Sequence, residues 1–579
     1  MIALDEREID RGDVHGLADA YRALHGAPAG HALQPSARVH GVTFGQPPAV
    51  AGDLWAMHVG RVYGRGGPVR AEARDLDGQF ALIRGDREGR VEVLSDPLAM
   101  QALYVAATPE RLYVSTSALA LARHLRRPLD PLGARSFLRT GTLFGELTAF
   151  DGVRRVDPAT ILRVGPGGLE RSTYWSPALD PAVRRLSLES TVKHCLEALV
   201  ETGRERLGGR EGLWADLTGG FDSRLLCLAL SAGDVAFSTT TRGSSDAPDV
   251  RIAREIAELR RWDWTHHPPL DGQGAAVAEL LMPAAAWGNG ALDALQLTEV
   301  LWMQRENGRR GRSLVSGGGG EHLRHYASSH ELLRLGRTTK FNLERFVDLR
   351  LVGPEDTSVF AQDPTAEVRD DALRRLRERA APFSGEVNTF QLDVLYAYKS
   401  MGHFGAYCSA GQAYLEPELP FYWRPVLTAA LSARDRYRTQ RILTRHMIAA
   451  LDPRVAALPT ERGGPAEPWR VGNVHRFAPY YARLGRNVAL RTVRRRLNPG
   501  ASNPGSASRV VPTRVALAAH LRDRGVLTPA TMRTAAFYRP QALDRLVDAA
   551  LRPGFGGWSQ LGRIATLELV ARATESDGG

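Results

Sequence analysis

Cysteine is almost missing from this chain. Among 579 residues only Cys195, Cys227 and Cys408 occur, far apart and without CxxC spacing. That excludes a disulfide framework or a cysteine-built zinc cluster and predicts buried, reduced thiols. No export leader is expected either, because Met1 to Glu8 carries acids where a basic patch and an apolar stretch would stand. No window reaches the roughly 18 uninterrupted apolar residues of a spanning helix, and candidates such as Leu280 to Trp287 end quickly in Gly, Asn and Asp. These absences predict a soluble, cytoplasmic protein with no membrane partner. No internal repeat is visible.

What is present is an ordinary globular composition, 43% hydrophobic and 24% charged, in a chain long enough for two to four domains at roughly 150 residues each. Two large domains are expected. The net charge of +11 comes mostly from arginines spread along the chain. One stretch concentrates them: Arg470 to Arg496 holds eight arginines and no acid, interleaved with Phe477, Tyr480 and Tyr481, and Trp469 precedes it. Such a segment suits a polyphosphate, an acidic peptide or RNA, or is a solvated helical face.

Short alternating runs at Arg90 to Ser95 and Arg111 to Thr116 predict half-buried strands, and the first 180 residues read as rich in sheet. The texture changes after Tyr174-Trp175-Ser176-Pro177. Leu186 to Leu207 has helical spacing, with Val192, Leu196, Leu199 and Val200 on one side. Beyond a boundary near residue 180, strands at 212–217, 235–240 and 313–316 alternate with helices at 223–231 and 249–259, which predicts a parallel sheet covered by helices. Helices dominate after about residue 325. Asn498 to Gly505 reads as a flexible break before a helical tail at 514–522, 541–551 and 561–572.

The chemistry enters at Leu217-Thr218-Gly219-Gly220-Phe221-Asp222-Ser223. A strand, two glycines and an Asp-Ser pair opening a helix bring backbone N–H groups and two hydroxyls to a helix N-terminus, a setting that suits phosphate. The glycines admit the backbone close to the anion, and Asp222 can hold magnesium against phosphate oxygens. The Gly-Lys-Ser/Thr ending of kinase-type loops is absent.

The string resembles the Ser-Gly-Gly-x-Asp-Ser loop of the ATP pyrophosphatases. About 95 residues on, Val315-Ser316-Gly317-Gly318-Gly319-Gly320-Glu321, followed by Tyr326, resembles the second glycine segment of the asparagine synthetase family. Between them, Gly243 to Asp246 and Asp249 to Arg254 resemble the segments that hold the nucleotide, and His266 falls where that family often has a histidine. Leu76 to Ala81, Ser95 to Leu98, Leu103-Tyr104, Val114 to Ser117, Phe137 to Gly145, Thr148 to Val153, Pro158 and Tyr174-Trp175 resemble its glutaminase-type domain, and Glu416 to Phe421 and Leu561 to Arg572 its helical C-terminal part.

The resemblance implies an α/β protein with an Ntn-type α+β sandwich over 1–180. A parallel-sheet ATP pyrophosphatase domain would follow over 181–497, and a linker with a helical C-terminal extension over 498–579. It implies ATP and Mg2+ as cofactors and Leu217 to Ser223, Gly243, Asp249, Gly317 and Gly318 as the nucleotide site. Asp222 and Glu321 would be the metal ligands.

Three departures shape the expected activity. Residue 2 is Ile2, not the cysteine nucleophile of a glutaminase, so glutamine hydrolysis by that route is not expected. Gly318 replaces an acid, which points to a nucleophile other than ammonia and leaves Tyr326, with Glu331, as either the proton acceptor or part of the core. The late loop Leu458 to Pro465 lacks the family's lysine, and Arg462 is the candidate substitute, although its planar fork is no point-for-point replacement.

The resulting expectation is an ATP-dependent, amide-forming ligase that adenylates a carboxylate, releases pyrophosphate and joins the acyl group to an amine. It is similar to β-lactam synthetase and the lasso-peptide cyclases of natural-product biosynthesis. The expected partners are a small molecule or peptide carrying the carboxylate and amine, and a precursor peptide or partner biosynthetic protein. Nucleic acid is not expected. The alternatives are an ammonia-dependent asparagine synthetase, a catalytically inactive relative, or a tRNA-modifying pyrophosphatase using the basic 470–496 stretch.

Overall fold

The computed structural model describes residues 2–5, 11–165, 168–270, 274–308, 313–331, 335–353, 355–482, 485–486, 512–552 and 554–575. Asn498 to Gly505 and the arginines from Arg491 to Arg496 lie outside them. The chain is a mixed α/β protein with both antiparallel and parallel sheets.

Twelve strands build two six-stranded antiparallel sheets. They are β1 (Ile2–Asp5), β2 (His31–Ser36), β3 (Val39–Thr43), β4 (Ala49–Ala51), β5 (Leu54–Tyr63), β6 (Asp77–Gly85), β7 (Val91–Ser95), β8 (Tyr104–Ala107), β9 (Arg111–Ser115), β10 (Val153–Arg155), β11 (Thr160–Gly165) and β12 (Gly168–Thr173). One sheet runs β10-β8-β9-β1-β3-β2 and the other β12-β11-β7-β6-β5-β4. Val39 and Val114 of the first share a core with Trp55, Met57, Ala81, Ile83 and Val93 of the second, so the sheets pack face to face. Phe80 and Leu82, pointing the other way by strand alternation, bury against Leu76, Leu94 and Ile161. β7 is therefore more buried than the half-buried strand expected of it. Helices α1 (Arg11–His25) and α2 (Ala118–His124) join the outer core of the first sheet through Leu17, Tyr21 and Leu121.

After the 20-residue helix α3 (Leu188–Leu207) comes a five-stranded parallel sheet of β13 (Leu213–Asp216), β14 (Ser238–Arg242), β15 (Trp264–His267), β16 (Ser313–Val315) and β17 (Glu416–Glu418), ordered β15-β14-β13-β16-β17. The chain steps outward from β13 through α4 (Phe221–Ala232) and α5 (Pro248–Arg260) to β15, then returns to the other side of β13 as β16. Strand order reverses between β13 and β16, and the crevice above their C-terminal ends is where folds of this kind bind ligands.

Two sequence expectations shift. The strand expected at 235–240 starts at Ser238, because Asp234 takes a left-handed turn (φ 54) and Val235 closes the preceding helix by bonding to Leu230. Glu416 to Glu418, read with the helical C-terminal part, is instead the edge strand β17, paired Ser313 to Glu416 and Val315 to Glu418. A charged network ties this edge to the antiparallel region. The fully buried Glu418 accepts from Tyr63 Oη (2.9 Å) and Arg210 (2.7 Å), while Asp77 accepts from Arg206 (2.7 Å). The last helix, α6 (Trp558–Thr574), is buried on nearly every side and packs in the same core as Leu17, Leu121 and Leu138. No helix among the described residues is long and apolar enough to cross a membrane.

Candidate functional site

Leu217, the residue after β13, is fully buried, its N–H bonded to Thr240 O at 2.9 Å. The chain then turns through Thr218, Gly219 and Gly220 into α4, whose first turn has no side-chain cap. The turn satisfies much of its own polarity. Thr218 N–H donates to Ser223 Oγ (3.1 Å), the Thr218 and Ser223 hydroxyls lie 2.8 Å apart, and Gly220 N–H donates to Thr218 Oγ1 (3.0 Å). Gly219 N–H donates to Asp249 Oδ1 at 3.0 Å, so Asp249, expected on the nucleotide, here braces the loop from the start of α5. Buried donors must find acceptors. An anion would meet the first turn of α4, where the helix dipole is positive.

The second glycine segment crosses directly over that turn. A Cβ on Gly317 would stand 2.9 Å from Ser223 N, and one on Gly320 2.5 Å from Asp222 Cγ, so the approach requires glycine at both positions. Gly318 faces Phe404 and Leu419. The crossing brings Glu321 beside Asp222: burial first, and then the Asp222 charge, raises the Glu321 carboxyl above its ordinary range. Against Asp222 lies a residue the sequence reading missed. Arg324 donates to both oxygens of Asp222, at 2.7 and 2.6 Å. Two hard carboxylates in mutual repulsion fit a divalent cation whose other ligands come from phosphate and water. No cluster of three or more metal-binding side chains exists among the described residues.

The late loop completes the rim. Gly463 (φ 84) and Gly464 (φ 76) take left-handed conformations that close it on Thr460, and Glu461 N–H reaches Gly219 O at 3.4 Å. Arg462 is largely exposed and pairs with Glu461 at 3.2 Å. Arg224, one residue past the motif and fully buried, donates to the carbonyls of Val455 (3.0 Å), Leu458 (3.1 Å), Pro459 (2.8 Å) and Gly219 (3.3 Å). It bolts the late loop to the glycine turn, and burial lowers its guanidinium to about 10.

Gly243 (φ 137) follows β14, and its carbonyl meets His266 Nε2 at 2.7 Å. Tyr326 is 40% exposed, with Arg350 over its ring at 4.3 Å and Tyr396 at 5.3 Å. Glu331 instead accepts from Asn342 N–H at 3.1 Å and lies beside His330. On the Glu321 side, burial and the neighbouring Arg350 lower the Lys399 ammonium. All three cysteines are buried free thiols.

No family model and no curated protein matches the chain. Among solved structures, a glutamine phosphoribosylpyrophosphate amidotransferase from B. subtilis, in complex with ADP and GMP, is similar at 10% identity over 48% of this chain and 67% of that chain, with a TM-score of 0.21. A likeness that low carries no functional argument. The site stands on its own geometry.

Proposed function

We propose that the chain is an ATP-dependent ligase that activates a carboxylate as its acyl-adenylate, releases pyrophosphate and passes the acyl group to an amine. One observation supports this above others: two glycine segments cross at the reversal of strand order, setting Asp222 and Glu321 beside an uncapped helix N-terminus. In this reading the β- and γ-phosphates of ATP lie along Thr218 to Ser223. Asp222 and Glu321 would hold Mg2+, whose charge would neutralise the departing pyrophosphate. Arg324 then leaves Asp222 for the phosphates, taking part of the role of the missing lysine.

The substrate carboxylate attacks the α-phosphorus and the α–β bridge oxygen departs with pyrophosphate. The amine then attacks the acyl carbon, its proton passes to a base such as Tyr326, and AMP leaves. The rim formed by the late loop keeps water from the activated acyl group. Closure of a macrolactam in a peptide or other natural product is the favoured case.

A product assay tests the reading. Purified protein, ATP and a mixture of carboxylates and amines are expected to give AMP and pyrophosphate; ADP and phosphate instead would contradict it. A second reading, a non-catalytic relative, is favoured only by the Arg324 clasp on Asp222 and predicts neither product pair.

A further inference from the structure

On the side of α4 facing the helix Ile442–Leu451 and the late loop, a second concavity encloses about 910 Å3. Its wall alternates cations with aromatic rings. Arg441 and Arg445 lie over the Phe221 ring at 4.5 and 4.9 Å, and Arg445 also lies 5.1 Å from the Phe477 ring. Arg445 is fixed by the carbonyls of Pro465 (2.7 Å) and Glu467 (2.9 Å). Arg441 follows Gln440 in a left-handed turn (φ 51 and 63), a backbone that residues with a Cβ rarely adopt. The fold maintains this conformation where Arg441 lines the concavity and feels the charges of Arg324 and, less strongly, Asp222. Among the described residues, no aspartate or glutamate lines the space, and the neighbouring acid, Glu461, is paired with Arg462 at 3.2 Å. Across it, Trp469 and Tyr481 stay 55% and 52% exposed.

Arg441 and Arg445 are half-buried with no carboxylate lining the same space, which favours an anion from outside. Aromatic faces left open beside them call for a planar or apolar body. Inorganic phosphate would meet the first demand and leave the rings uncovered, and a neutral apolar ligand would do the reverse. The volume suits a ligand of small-molecule size.

We propose that this concavity binds an organic carboxylate with a planar apolar body, the acidic group at Arg441 and Arg445 and the body against Trp469 and Tyr481. That this ligand is the acyl donor rests on the ligase reading, because Arg441 leads from the concavity toward Asp222. The binding itself does not depend on that reading.

Isothermal titration of the full chain without nucleotide tests it with two matched pairs: 2-naphthoate against 2-naphthamide, and acetyl-Glu-Trp-amide against acetyl-Gln-Trp-amide. In at least one pair the acid is expected to bind about 10-fold more tightly than its neutral partner, as a charge-assisted contact predicts. The pair that shows the preference tells a free small acid from an acidic peptide side chain. Trp469→Ala and Arg441→Gln should each weaken the preferred acid by about 5-fold or more. Trp469 is exposed enough that its truncation leaves folding intact, which circular dichroism checks. Equal binding of acid and amide in both pairs, no binding of either acid, or unchanged affinity in Trp469→Ala would overturn the proposal. So would displacement of the acid by pyrophosphate that is indifferent to Trp469, which would assign the space to phosphate. Failure of the ligase reading would show separately, in the product assay.

Discussion

At Gly320 a single methyl group separates two outcomes. A Cβ there would stand 2.5 Å from Asp222 Cγ and 2.6 Å from its Cβ, so Gly320→Ala must push the second segment off the first. Overpacking of this kind costs about 1–3 kcal/mol. Gly320→Ala is expected to lower the unfolding midpoint modestly and AMP formation by about 10-fold or more; wild-type turnover in a folded variant would mean the crossing is not the site. The glycine strings were legible in the sequence because the close approach of two backbones constrains residue type locally. Arg324 was not, since its partner lies 102 positions away and meets it only because β16 lies beside β13. The engagement of Asp249 with Gly219 N–H was hidden for the same reason.

Helices and strands announced themselves where one face was buried. The helix at 188–207 and the β13 turn into α4 fall close to their expected positions, because helical spacing and glycine punctuation are local signals. The strand β17 escaped, having only three residues, Glu-Pro-Glu, of which the buried Glu418 is satisfied by Tyr63 across the region boundary and by Arg210. Arg224 is the element-scale counterpart of the glycine crossing. Arg224→Met keeps the apolar stem but removes a donor from four carbonyls, three of which keep only a longer backbone bond, and leaving a buried acceptor unsatisfied costs about 1–3 kcal/mol. Urea unfolding should show that loss, and the KM for ATP should rise as the late loop detaches. A change below about 1 kcal/mol would remove Arg224 from this role.

At the scale of the whole molecule, the change of texture near residue 180 marked the end of the antiparallel sheets, whose last strand stops at Thr173. The burial of α6 against the first region was not visible, because α6 buries Gln560, Arg563 and Glu568 along with its apolar residues and so presents no apolar stripe that names its neighbour. That shared core includes a pH-sensitive joint. His25 lies between Tyr21 (4.3 Å) and Trp287 (4.4 Å), bonded to Ser117 Oγ at 2.9 Å, and burial lowers its imidazole to about 3. The unfolded chain protonates this histidine near pH 6.5, so its contribution is present above that pH and is lost as pH falls through it toward 3. Between pH 7 and 5, wild type should lose about 2 kcal/mol relative to His25→Gln. Parallel stability curves for the two proteins would place His25 in water.

The claim on which the rest depends is that ATP is cleaved between its α- and β-phosphates at the crossing of the two glycine segments. Exchange of labelled pyrophosphate into ATP, dependent on an added carboxylate, measures the reverse of that step directly. The account predicts exchange with one class of amino acid, aryl acid or peptide, and its loss in Asp222→Ala and Glu321→Gln. Exchange that persists unchanged in both variants, or that no carboxylate elicits, would contradict it.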